Sequence, residues 1–305
     1  MSSLPLGNDD YPQWDLPDIV SKLRNSREVE HKVRYLGRIR ELPSREMLRT
    51  ILDGLAVALF PTHYGRCVLS DESIDFFVGN TLNTTLNQLW EQIRRALYFS
   101  LPPASHHDAD IRHLATEMGR RFANQLPDIR ALLVSDLNAA YQGDPAATSL
   151  SEILLSYPGF QAIMHHRFAH ALHQLGAPFL ARLIAEIAHS DTGIDIHPGA
   201  TIAGSFFIDH GTGVVIGETC IIGERVRIYQ TVTLGAKSFP ADEHGNLTKG
   251  IPRHPIVEDD VVIYAGATVL GRITIGKGST VGGNVWLTQS VAPNSYISQA
   301  RNRND

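Results

Sequence analysis

Ile196-His197-Pro198-Gly199-Ala200-Thr201-Ile202-Ala203-Gly204-Ser205-Phe206-Phe207-Ile208 opens a stretch in which an aliphatic residue returns every sixth position. The series resumes at Ile216, Ile222, Ile228 and Leu234. It resumes again at Val257, Ile263, Val269, Ile275, Val281 and Leu287. A period of six is neither helical nor a simple strand alternation. It fits a chain that runs straight for a few residues, turns and repeats, so that three sides close one triangular coil. Stacked coils then bury a continuous column of Ile, Val and Leu, as repeat architectures require. Glycine often follows the inward residue (Gly217, Gly223, Gly235, Gly276, Gly282), as suits a tight corner. Small or β-branched residues four places on (Ala200, Thr212, Cys220, Val226, Val232, Val261, Ala267, Ser279, Val285) fill the remaining interior. The expected fold is a left-handed parallel β-helix of hexapeptide repeats over 191–292.

The period breaks twice. Between Ile208 and Ile216 two extra residues enter at Asp209-His210-Gly211-Thr212-Gly213. Between Leu234 and Val257 a loop, 237–254, is extruded, carrying Lys237, Asp242, His244, Lys249, Arg253 and His254. Loops on a rigid scaffold are where sites are built, and both breaks carry histidine.

Upstream, residues 1–190 read as an all-helical domain, giving an α+β chain. Ser26-Arg27-Glu28-Val29 opens one candidate helix, with Val29, Val33, Leu36 and Ile39. Ser44-Arg45-Glu46-Met47 opens another, with Leu48, Ile51, Leu52, Leu55 and Leu59. A turn follows at Phe60–Gly65. A long amphipathic helix is expected over 71–101, separate helices over 109–125 and 128–141, and shorter ones over 150–155, 160–175 and 178–190. The helical half is expected to cover the open end of the coils, which would otherwise expose strand edges. From Pro293 the repeat is lost, and 293–305 reads as a polar tail.

The chain has 305 residues and a formal charge of −5, with no marked Lys/Arg cluster, which argues against nucleic acid as a partner. Two cysteines, Cys67 and Cys220, make no disulfide framework. No run of about 18 apolar residues predicts a membrane span, and no apolar signal core precedes the helices. A cytoplasmic location is the expectation.

Asp195-Ile196-His197-Pro198 lies fifteen residues before His210, and a coil takes about 18 residues, so Asp195 and His210 can lie near each other on adjacent coils. A carboxylate beside an imidazole fixes its tautomer and raises its basicity. Such a base can take a proton from a hydroxyl. Arg253-His254-Pro255, at the re-entry of the extruded loop, supplies a guanidinium suited to a carboxylate.

Asp195-Ile196-His197-Pro198, then Asp209-His210-Gly211-Thr212-Gly213-Val214-Val215-Ile216-Gly217-Glu218-Thr219, then Arg253-His254-Pro255 and Ala265-Gly266-Ala267, closely resemble the serine O-acetyltransferase family, which opens cysteine synthesis. The strong likeness runs from about Tyr157 to Leu287. Gly143-Asp144-Pro145-Ala146 fits the family's substrate-site segment. The resemblance implies that His210 takes the L-serine hydroxyl proton and Asp195 orients it. The serine oxygen then attacks the thioester of acetyl-CoA directly, with no metal. It further implies that Asp144 and Asp209 face the serine ammonium, that Arg253 holds the carboxylate and that His254 lines the pocket. Gly235, Ala265 and Gly283 would meet the pantetheine arm, with Lys237, Lys249 or Lys277 toward the phosphates. L-cysteine is implied as a feedback inhibitor, and a homotrimer or hexamer as the assembly.

Several features depart from the family pattern. The extruded loop is long. Thr280 stands where a phosphate-binding lysine is usual. The ending on Asp305, without the usual Gly-x-Pro-Ala segment or terminal Ile, argues against a tail-mediated complex with O-acetylserine sulfhydrylase. Three other readings stay open: an acetyltransferase for another hydroxyl acceptor, a β-helix zinc enzyme of the carbonic-anhydrase type using His197, His210 and His254, and a non-catalytic scaffold.

Overall fold

The computed structural model describes residues 14–30, 41–65, 70–101, 107–240, 242–243 and 245–299. Contacts divide the chain into two compact units, Met1–Glu41 and Leu42–Asp305. In the first, α1 (Leu16–Asn25) is capped by Asp15, whose side chain accepts from Asp18 N at 3.2 Å, and runs on into a π-helical turn, Ser26–Glu30. Val33, Leu36 and Ile39, expected on a helix here, lie outside the described residues, as does Cys67.

In the second unit, α2 (Arg45–Leu59) starts where Ser44 Oγ accepts from Met47 N and buries Leu48, Ile51, Leu52, Leu55 and Leu59 at helical spacing. The expected turn after it holds one short helix, α3 (Pro61–Tyr64). α4 is Ile74–Ser100. The two helices expected over 109–125 and 128–141 are one continuous helix, α5 (Asp108–Gly143), with Pro127 inside it. Proline removes one ladder hydrogen bond there. Phe122, Leu126, Ile129 and Leu133 are nonetheless all buried at unbroken helical spacing, so packing carries the helix through. α6 (Leu150–Ser156), α7 (Pro158–Gln174) and α8 (Pro178–Thr192) follow. α7 is buried on nearly every side, which makes it the core of the helical layer.

Among the described residues fourteen short strands then form three parallel sheets, β1-β4-β7-β10-β13, β2-β5-β8-β11 and β3-β6-β9-β12-β14. β1 is Asp195–Ile196, β2 Thr201–Ile202, β3 Phe207–Ile208, β4 Val215–Ile216, β5 Ile221–Ile222, β6 Arg227–Ile228 and β7 Thr233–Gly235. β8 is Ile256–Val257, β9 Val262–Ile263, β10 Thr268–Leu270, β11 Thr274–Ile275, β12 Thr280–Val281, β13 Trp286–Leu287 and β14 Tyr296–Ile297. The sixfold series stands in register as three columns. Ile196, Ile216, Leu234, Val269 and Leu287 form the first. Ile202, Ile222, Val257 and Ile275 form the second. Ile208, Ile228, Ile263, Val281 and Ile297 form the third. This is the left-handed parallel β-helix.

Two details differ from expectation. Thr212 is exposed, and Val214 is buried in its place, because the insertion shifts the phase by two residues. The repeat also does not stop at Pro293. Val291 bridges to Ile275, and Ile297 continues the third column. The step from Leu287 to Val291 is four rather than six, so the period is shortened rather than lost. Ser279, in an interior position, fastens this last turn by donating to Ala292 O and accepting from Ser295 N. At the other end, α5 and α7 pack on β3 and α8 packs on β1, so the helical layer covers the first coil. No described helix is long and apolar enough to cross a membrane.

Candidate active site

The candidate residues fall on two borders of the β1-β4-β7-β10-β13 sheet. At the border entered from β3, Asp209 follows the inward Ile208, and His210 and Gly211 form the two-residue insertion. His210 (φ 58°) and Gly211 (φ 88°) both adopt the left-handed region. Gly211 is buried while the His210 side chain is 72% exposed, with Nε2 3.8 Å from Asp209 Oδ1. The insertion therefore lifts one imidazole off the corner of the prism.

Helical residues reach the same corner. Asp144 ends α5, and its Oδ2 accepts from Tyr157 Oη at 2.6 Å and its Oδ1 from Ala146 N at 2.8 Å. The hydrogen bond from Tyr157 and that from Ala146 hold the Asp144 carboxyl below the usual carboxylate range, and the same Tyr157 bond pushes the phenol up to about 12. Gly159 makes this approach possible: a Cβ there would stand 2.2 Å from Ile208 O. Asp144 and Asp209 thus put two carboxylates beside His210. Sequence reasoning assigned no role to Tyr157. Its only signal was the Tyr157-Pro158-Gly159 helix start.

Asp195 heads β1 and stands level with Val215 on β4, the strand that follows the insertion on the adjacent coil. Among the described residues, no hydrogen bond or ion pair joins Asp195 to His210. The ligand atoms of Asp195, Glu186 and His189 instead lie within 4.8 Å of one another.

At the opposite border, after β1 and β4, stand His197, Glu218, Thr219, Arg253 and His254. Arg253 Nη2 donates to Glu218 Oε2 at 2.6 Å. Thr219 Oγ1 accepts from the backbone nitrogens of Arg253 (2.9 Å) and His254 (3.1 Å), and Thr219 N donates to His254 Nδ1 (3.0 Å). Arg272 Nη1 donates to the carbonyls of Thr219 and His254 at 2.6 and 3.0 Å. The re-entry of the extruded loop is therefore clamped on the coil below it. Gly217 leaves room for the His254 ring, whose Cδ2 would lie 2.0 Å from a Cβ. In both His254 and His197, Nδ1 accepts a backbone N–H, which leaves Nε2 to carry the proton. Glu218, Thr219 and Arg272 were not singled out from the sequence, although Glu218 and Thr219 lie inside the quoted motif.

The pantetheine candidates split in the same way. Ala265 and Gly283 are stacked at the His210 border, where Asn284 N donates to Ala265 O at 2.9 Å. Gly235 ends β7 at the other border. His197 and His254 share one border and His210 occupies the other, so one chain does not converge the three histidines on a zinc ion.

Burial holds the imidazoles of His165, His197 and His254 down at about 4, against an ordinary value of about 6.5. Each group's folded pKa thus lies below its unfolded one. The stabilisation is complete above about pH 6.5 and is lost as pH falls toward 4, because the unfolded chain binds the protons first. Thermal melting followed across this window is expected to fall steadily on acidification. A midpoint flat between pH 6.5 and 4.5, about the range spanned by the two values, would contradict it.

Residues 75–164 match the family model "Serine acetyltransferase, N-terminal", and 254–289 match "Bacterial transferase hexapeptide (six repeats)". The plasmid serine acetyltransferase of Synechococcus elongatus is 60% identical over 298 residues, which cover 96% of this chain and 93% of that relative. The chain belongs to the serine acetyltransferase family. Its members are acyltransferases. Serine acetyltransferase 1 of Entamoeba histolytica, solved in complex with L-cysteine, superposes with a TM-score of 0.72 at 36% identity, covering 92% of this chain and 94% of that one. Soybean serine acetyltransferase, solved with serine, gives a TM-score of 0.54 at 31% identity over 84% and 98% of the two chains.

Proposed function

We propose that this serine acetyltransferase transfers the acetyl group of acetyl-CoA directly to L-serine, with His210 as general base. The observation that carries the reading is the pair of half-sites on one sheet: an imidazole with two carboxylates at one border, and a guanidinium with two neutral histidines at the other. Serine is a zwitterion, so its ammonium suits Asp144 and Asp209 and its carboxylate suits Arg253. The Glu218 contact leaves Arg253 further N–H groups and aims the guanidinium. The two half-sites complete each other across a contact between copies of the chain, which makes a homotrimer the smallest competent assembly. The helical part, 1–190, serves further association.

In the step, His210 takes the hydroxyl proton as the serine oxygen bonds to the thioester carbon. The tetrahedral intermediate then expels CoA thiolate, which recovers that proton. Asp195 supports the imidazolium from the adjacent coil. The stacked Ala265 and Gly283 present little side chain, which lets an extended arm approach the backbone. L-cysteine, with a thiol in place of the hydroxyl, fits the same contacts and is the expected inhibitor. The deciding experiment measures CoA release from acetyl-CoA with and without L-serine. Release that needs L-serine and is suppressed by L-cysteine is the expected result. Release independent of L-serine, or none from folded protein, would overturn the reading.

A further inference from the structure

Gln230 carries chemistry that the reading above leaves unused. It follows Tyr229 at the His210 border, one coil beyond the insertion. Its carbonyl oxygen is fixed by Gly266 N (3.1 Å) and Thr231 Oγ1 (2.7 Å). Its side-chain Oε1 is buried and has no hydrogen-bond partner. A buried acceptor left unmet is costly, and such atoms are rare enough in folded chains to need a reason.

The register supplies the reason. Thr231 N donates to Thr212 O, Gly266 N to Gln230 O and Asn284 N to Ala265 O, so Thr212, Gln230, Ala265 and Gly283 stand in one column. His210 is thrown out immediately below Gln230, between Asp209, which is level with Tyr229, and Thr212, which is level with Gln230. At the neighbouring coils the column carries Ala265 and Gly283, which fill no space. Gln230 alone brings a long polar group to it. Tyr229 and Tyr264 stack beside it, with ring centroids 5.1 Å apart and planes at 11°, and wall the column on the β6–β9 side.

We propose that the Gln230 side chain, whose Oε1 is buried and unmet in the free chain, turns that oxygen into the column to accept the hydrogen bond of the first amide N–H of the pantetheine arm and thereby sets the height of the thioester against His210. This rests on the acetyl-CoA reading above. Coils stand about 4.8 Å apart. In the arm, two methylene groups separate the thioester sulfur from the first amide. A thioester level with His210 therefore carries that N–H about one coil higher, at Gln230, and its continuation passes Ala265 and Gly283. An orphan acceptor at that height matches a donor that the acyl carrier has there. Gln230 is a positioning residue: it takes no proton and forms no bond in the transfer.

The test uses the full chain, with Gln230→Ala, which removes the acceptor, and Gln230→Glu, which keeps one. Gln230→Ala is expected to lower kcat/KM for acetyl-CoA by about tenfold, the worth of one well-placed hydrogen bond, with KM for L-serine little changed. Gln230→Glu is expected to retain most of the activity. Two short donors locate the contact: S-acetyl-N-acetylcysteamine and its counterpart with an ester oxygen in place of the N–H. Wild type is expected to prefer the amide donor by about tenfold, and Gln230→Ala to lose that preference. A Gln230→Ala value within about twofold of wild type, or an amide preference unaltered by the substitution, overturns the proposal. If a neighbouring copy supplied the donor instead, the variant would melt lower with its amide preference intact, which also overturns it. If Gln230→Ala does not fold, a Gln230→Glu variant that folds and has lost the amide preference is the overturning result, and one that keeps it supports the contact. Wild type without serine-dependent release sinks the acetyl-CoA reading and this inference together, whereas active wild type with an unaffected variant sinks this inference alone.

Discussion

His210→Asn is expected to lower serine-dependent CoA release by about a thousandfold, within the range that general-base catalysis contributes. Asparagine is the informative replacement because position 210 has φ 58°. Asparagine tolerates the left-handed region, whereas alanine there adds a backbone cost of about 1–2 kcal/mol unrelated to chemistry. The side chain is largely exposed, and its recorded partner is Asp209 Oδ1 at 3.8 Å. No packing depends on it, and Gly211 still tucks against Ile194. Melting temperature is therefore expected to stay at the wild-type value while kcat collapses. KM for acetyl-CoA is expected to change little, because the column through Ala265 and Gly283 is untouched. The measurement is steady-state CoA release alongside a thermal melt. Retention of more than about a tenth of wild-type kcat would remove His210 as the essential base and turn attention to Tyr157 and Asp144.

The coils were legible in the sequence because each coil is encoded locally. Every inward residue is separated from the next by one side of the triangle, so Ile196 through Val281 announce their burial without long-range information. The insertion at His210 was visible for the same reason, as a step of eight. Val291 and Ile297 escaped because the last side is shortened to four, and a pattern search at six reads that as an ending. Pro127 misled in the opposite direction: a local helix breaker was overridden by Phe122, Leu126, Ile129 and Leu133, whose burial is tertiary. The separation of Arg253 and His254 from His210 onto opposite borders of a sheet follows from which strand each corner succeeds. Residue identity does not carry that, and neither does the Thr219–Arg272 clamp, which joins residues on different coils.

Arg167→Ala is expected to cost about 3–5 kcal/mol, as removal of one partner from a buried ion pair does. Arg167, on α7, donates from Nε and Nη2 to the two oxygens of Asp136, on α5, at 2.7 and 2.9 Å, and both side chains are almost fully buried. The guanidinium also donates to the carbonyls of Ile202 and Ala203, at the turn between β2 and β3, at 3.2 and 3.0 Å. Asp136 Oδ1 accepts in addition from Phe206 N at 2.9 Å. One pair thus joins two helices to the first coil, where the helical layer meets the β-helix. Burial already holds the Asp136 carboxyl above its ordinary value with Arg167 beside it, and the loss of Arg167 would raise it further. A group so raised stabilises the folded state below its unfolded pKa and loses that contribution as pH rises. The penalty in the variant should therefore shrink on mild acidification, opposite in sign to the buried histidines. Replacing both partners, Asp136→Leu with Arg167→Met, removes the stranded charge. It should recover only part of the loss, because the Ile202 and Ala203 carbonyls and the Phe206 N–H stay without their partners. Urea unfolding of wild type, the Arg167 variant and the double variant at two pH values measures all three terms. A single-variant loss below about 1 kcal/mol, the size of an exposed pair, would mean that the junction is held by apolar packing and that this ion pair is incidental to it.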